Sequence, residues 1–147
     1  IRDYLGEELF TKALHHYIEN WNGKHPMPYD FFYSKNTGAG KNMDWFWKRW
    51  FFDVGITDMA IKGVDKTANG YAIEVLNKSN KPLPIDLTIT FTGVSTDTIQ
   101  QTIGVWEKGN QTYTSSLATN KIIQKVVLGS SHVPDKDKSD NTFIVKN

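Results

Sequence analysis

The chain has 147 residues, 39% of them hydrophobic, and a formal net charge of +1, enough for one large domain or two small ones. Its 17 basic and 16 acidic residues are interspersed rather than drawn into a stripe, which argues against a phosphate-binding surface and against nucleic acid as a partner. The absence of cysteine excludes disulfides, thiol catalysis and thiolate metal sites, and no apolar run approaches the roughly 20 residues of a membrane span. Composition leaves the compartment open.

The start, IRDYLGEELF, has neither the basic opening nor the apolar run of a signal peptide and carries no initiating Met. It reads as the middle of helical sequence, so the expectation is a piece of a longer polypeptide. Over residues 6–22, Phe10, Ala13, Leu14, Tyr17, Ile18 and Trp21 recur at spacings of three and four, which predicts a helix with Lys12, His15 and Glu19 on its other face. Gly23 is placed to stop it, and Pro26 and Pro28 prevent an immediate restart. A short second helix is expected over residues 29–34, with Phe31, Phe32 and Tyr33 shared between neighbours, followed by a turn over residues 37–40.

The stretch from Asn42 to Gly55, NMDWFWKRWFFDVG, sets Trp45, Phe46, Trp47, Trp50, Phe51 and Phe52 within one short run, a density that predicts burial. At about 100° per residue, Met43, Phe46, Trp47, Trp50, Phe51 and Val54 share one face, with Trp45 and Phe52 opposite. Two apolar seams imply two neighbours. Asn42 is the expected N-cap, Asp44 suits the first turn, and Gly55 is placed to end the helix in a left-handed turn.

Composition then changes. Of the 19 aromatic residues, 14 precede Thr57, and the remainder of the chain is rich in Thr, Ser, Val and Ile, which favour strands. The fold class expected is α+β: a helical segment over residues 1–57, then an antiparallel β-sandwich over residues 58–147. Its first strand is expected over residues 56–66, ending in a turn, and Asn69-Gly70 signals a hairpin before Tyr71, Ile73 and Val75. Ile85, Leu87, Ile89 and Phe91 alternate with Asp86, Thr88, Thr90 and Thr92, the pattern of a half-buried strand. Further strands are expected near residues 97–103, 111–117, 121–128 and 142–146, with a polar surface loop over residues 134–141.

Three groups invite a functional reading. His15, His16 and Glu19 suggest a metal, yet zinc peptidases of the H-E-x-x-H type need two His four apart on one helical face. No His here is followed by Glu, and adjacent His15 and His16 point about 100° apart. A polar helix face, with His15 near Glu19, is the simpler account. Asp135, Asp137, Ser139 and Asp140 form an oxygen-rich run that invites a calcium reading, but Lys136 and Lys138 offset its charge and the glycine and terminal glutamate of an EF-hand loop are missing. A solvated turn is expected there. Trp45, Trp47 and Trp106 could stack on a sugar; helical spacing beside Phe neighbours makes burial the expectation for the first two, while Trp106, between Gly104 and Gly109, stays open. No hydroxyl has the His and carboxylate context of a nucleophile.

The order LGEELFTKALHHYIENWNGKHPMPYDFF, a glycine turn, then NMDWFWKRWFFDVGI resembles the last helices of the catalytic domain in M1-family zinc aminopeptidases, the gluzincins related to aminopeptidase N. In that family a W-F-F-x-x-W-like helix and a glycine precede a β-sandwich, and the run Trp45-Phe46-Trp47-Lys48-Arg49-Trp50 with Gly55 is similar to it. The Asn77 to Pro84 turn resembles the family's N-x-G-x-P-x-P-like turn, and Pro134, Asp135 and Asp140-Asn141 resemble its "PD…DN" ending. The family's H-E-x-x-H, distant glutamate ligand, G-x-M-E-N-like motif and transition-state tyrosine lie upstream of the region matched, and none occurs in this chain. The resemblance therefore implies no catalytic, cofactor-binding or metal residue here. It implies zinc and a peptide substrate for the parent protein, and the upstream catalytic domain of the same polypeptide as this chain's partner. The alternative is a non-catalytic sandwich module that binds carbohydrate or protein, with the helices as an adaptor.

Overall fold

The computed structural model describes residues 1–146 and shows, among them, three helices followed by seven strands in two antiparallel sheets, a mixed α+β chain. Helices and strands fall into separate units, Ile1–Asp53 and a second that begins at Val54. No helix among the described residues is long and apolar enough to cross a membrane.

In the first unit, α1 spans Arg2–Trp21 and α2 spans Pro28–Ala39; α3, Asp44–Trp47, continues into one π-helical turn, Lys48–Phe52. Helical structure starts at Arg2 rather than residue 6, because Gly6 (φ 75°, ψ 165°) interrupts α1 without ending it. The expected turn over residues 37–40 is corrected: α2 runs five residues past residue 34. Asn36, Thr37 and Gly38 favour turns locally, but packing overrides them. Ser34 accepts the indole N–H of Trp21 at 3.1 Å, and Gly38 lies so close to α1 that a Cβ there would sit 2.7 Å from the Cα of Ala13. A core of Leu5, Ala13, Phe32, Ala39, Met43 and Trp47 joins the three helices.

The aromatic helix departs from its expected form in three ways. The N-cap is Met43 rather than Asn42, whose Oδ1 accepts the Asp44 N–H at 2.8 Å from one residue further back, and the helix ends at Phe52 with Asp53 extended, so Gly55 does not terminate it. The last turn is widened, with the Asp53 N–H reaching the carbonyl of Lys48 at 2.9 Å. That extra width turns Phe52 toward the same neighbour as Phe51: their rings lie 5.8 and 5.0 Å from that of Phe32. Trp45 is left apart, edge-on to Tyr4 at 5.6 Å. The expected burial is also corrected, since Trp47 is 5% exposed whereas Phe51 and Phe52 are 61% and 50% exposed.

In the second unit, β1 (Met59–Thr67), β2 (Gly70–Asn77) and β5 (Thr112–Ala118) form a sheet in the order β1-β2-β5. β3 (Ile85–Phe91), β4 (Thr96–Gln101), β6 (Ile123–Leu128) and β7 (Thr142–Ile144) form the other, ordered β4-β3-β6-β7. The alternation of β3 does what its pattern predicts: Ile85, Leu87, Ile89 and Phe91 are buried and Thr88 is exposed. The β1–β2 hairpin turns on Ala68-Asn69, with Gly70 already paired to Thr67. Gly70 is required for another reason: at φ 150°, a Cβ would collide with the carbonyl oxygen of Leu117 on β5. Tyr71 of β2 ties the sheets together, its hydroxyl accepting the N–H of Ile123 in β6 at 3.4 Å.

Candidate functional site

The helical unit carries a groove of about 590 Å³ to which each helix contributes a pair of residues four apart. Phe10 and Leu14 come from α1, Phe31 and Lys35 from α2, and Phe46 with Trp50 and Trp47 with Phe51 from the aromatic helix. That spacing places both members of a pair on one helical face, so three ordinary local patterns converge on one concavity.

Asn36 fixes the third wall. Its Oδ1 accepts the Trp47 indole N–H at 2.9 Å and the Met43 N–H at 3.2 Å, while its Nδ2 donates to Asp44 at 2.7 Å. Sequence reasoning passed over this residue because it sits between the expected short helix and the expected turn, and nothing in its neighbours signals a hub.

Lys35 is the unusual member. It is 3% exposed, and among the described residues it is the only charged side chain lining the groove. Its ammonium lies over the rings of Phe10 and Phe31, 4.7 and 5.6 Å from their centroids, with no hydrogen bond or ion pair to another described residue. Ring faces attract a cation by roughly 0.5–2 kcal/mol. Removing an ion from water costs several kcal/mol even after the protein relaxes, so the rings offset part of that cost and leave the rest. Burial accordingly pushes the Lys35 ammonium below the ordinary lysine range. A lysine in sequence reads as surface, and this one was missed for that reason.

The groups nominated by the sequence are placed differently. His15 and Glu19 are exposed on α1, and both border a polar hollow with His16, Glu7 and Glu8. The His16 ring lies 3.5 Å from the amide of Asn20, and no group of three metal-binding side chains gathers at one point among the described residues.

The acidic run after Pro134 is stitched to the sandwich rather than arranged about a point. Asp135 accepts the N–H groups of Met59 and Asp137 at 3.2 and 3.1 Å, and Asp137 accepts that of Ser139 at 3.0 Å. The bonds from Ser139 hold the Asp137 carboxyl below the usual carboxylate range. The position a cation might take beside Asp140 belongs to Lys78, whose ammonium is 2.7 Å from Asp140 and 3.5 Å from Asp58. Those two carboxylates raise the Lys78 ammonium above its ordinary value, the Asp140 hydrogen bond contributing most.

Of the three tryptophans, Trp106 is 4% exposed and donates its indole N–H to the carbonyl of Leu83 at 2.8 Å, so it is no sugar platform. Trp47 is buried, and Trp45 is half-buried against Tyr4. No protein-family model matches the chain, and no curated protein matches it.

Proposed function

We propose that this chain is a supporting part of an M1-like zinc aminopeptidase, in which the helical unit docks through its aromatic face against the catalytic domain of the same polypeptide. One observation carries the docking role: Tyr29, Tyr33, Phe51 and Phe52 are each at least 50% exposed beside the groove. Tyr29 stacks on both Phe52 and Tyr33, at 5.5 and 6.3 Å, so this apolar surface is continuous rather than scattered. The M1 assignment rests on the sequence resemblance alone. Peptide hydrolysis by a zinc-activated water belongs to the parent. The described residues do not fit a zinc site, because His15 and His16 are adjacent on α1 and no three metal-binding side chains gather at one point among them.

The test is immunopurification of the native polypeptide that carries this sequence, followed by metal analysis and assay on an amino-acid anilide. One equivalent of zinc and release of the N-terminal residue are expected. A zinc-free, inactive native polypeptide overturns the reading, as does zinc-dependent aminopeptidase activity in the 147-residue chain by itself. That first outcome would favour the second reading, a non-catalytic binding module. The exposed aromatic face then serves a separate protein, and burial of Trp106 argues against carbohydrate.

A further inference from the structure

The lysines of the helical unit differ in burial, and Lys41 is intermediate, half-buried with its ammonium 3.9 Å from the centroid of the Tyr4 ring. Lys48 is exposed and pairs with Asp53 at 2.6 Å, and Lys24 is exposed and donates to the carbonyl of Asn20 at 2.7 Å. Lys35 is buried at the groove, facing aromatic rings and no described anion. Whatever covers the groove must remove Trp50 and Phe51 from water and also answer a cation that no described anion faces.

We propose that the groove docks an apolar protein segment carrying one carboxylate side chain, an Asp or Glu positioned against the ammonium of Lys35. Charge complementarity sets the sign, since an apolar occupant without an anion would complete the burial of an unpaired cation. The extent of the apolar surface selects a protein over a single alkyl chain. Beyond Phe51 it continues through Phe52, Tyr29 and Tyr33, which only a segment with several apolar side chains would cover. Paired with a carboxylate in a dry setting, Lys35 becomes a selector: it admits an apolar segment with the right anion and penalises one without it. This rests on the docking reading and deepens it by specifying what the occupant, a segment of the catalytic domain of the same polypeptide, must carry.

The test uses the full 147-residue chain and two blocked, Leu- and Ala-rich helical peptides that differ by a central Glu or Gln. Trp47 and Trp50 line the groove, so their fluorescence reports binding. The Glu peptide is expected to bind at least about tenfold more tightly. Lys35→Met, checked by circular dichroism for retained helix, should abolish that preference, and Lys35→Arg should keep it. Phe51→Ala should weaken both peptides alike. Equal affinities for the two peptides overturn the carboxylate requirement while leaving an apolar docking face. Failure of both to bind overturns the proposal, as does Lys35-dependent binding of dodecanoate in their place. So does a preference that survives Lys35→Met. None of these results bears on whether the native polypeptide carries zinc.

Discussion

The two units bury their apolar side chains by different means. In the sandwich, β3 sends every second residue inward, where Ile85, Leu87, Ile89 and Phe91 are all at most 2% exposed, and each sheet covers the other. In the helical unit, which holds most of the chain's aromatic residues, Phe32 and Trp47 are the aromatic side chains buried among the described residues. A sheet pair closes on itself, because alternation gives each sheet one dry face and one wet one. Three helices within residues 1–53 have too little volume to enclose so many rings, and the surplus stays on the surface. The lesson is that aromatic density measures demand for cover, and a unit of this size cannot meet the demand alone.

That contrast can be broken most directly with Ile89→Ala. Cutting a fully buried side chain from a closed core should cost about 3 kcal/mol, read by denaturant unfolding of the sandwich. A cost under about 1 kcal/mol would mean the sandwich is as loosely filled as the helical groove. Gly38→Ala comes next. Its new methyl meets the backbone of Ala13 and should cost about 2 kcal/mol of helical-unit stability by far-UV circular dichroism melting, since helix backbone yields little.

Lys35→Met sharpens the comparison by changing sign. Removing a buried cation without a partner should stabilise the isolated chain by about 1 kcal/mol. It should also flatten one part of the pH profile. Because burial lowers the Lys35 pKa in the fold, the unfolded chain binds more protons in the interval between that lowered value and the ordinary 10.5. Wild-type stability should therefore climb with pH through that interval, from a penalty fully present below it, whereas Lys35→Met lacks this contribution. Equal slopes for the two chains would show that the ammonium is not desolvated. Phe51→Ala has the smallest expected effect, under about 0.5 kcal/mol in thermal melts, because its ring is 61% exposed.

How much of this was visible in the sequence follows the same division. The run from Ile85 to Phe91 announced its strand and its inward face, because a period of two is a local property. The assignment of strands to sheets was not visible, since β3 pairs with β6 across more than thirty residues of chain. In the helical unit, the aromatic run announced a helix but misplaced Phe52, because one widened turn shifts every later side chain and leaves no mark in composition. The C-terminal half of α2 was illegible for a related reason. Thr37 and Gly38 read as a turn, with Asn36 at its border, until Trp47 is brought against Asn36 and Ala13 against Gly38, and those contacts come from other helices. The groove was half legible: its rings could be counted, but the burial of Lys35 and the hub at Asn36 exist only once three helices converge.

The hub at Asn36 also governs how the aromatic helix can move. One amide holds an indole, a main-chain N–H and a carboxylate at once, so α3 cannot rock against α2 without rupturing all three links together. The mouth formed by Trp47 and its neighbours is thereby stiff in advance of any encounter. Discrimination between rival occupants then falls to shape and charge, and little of it to a wall that adjusts to each arrival.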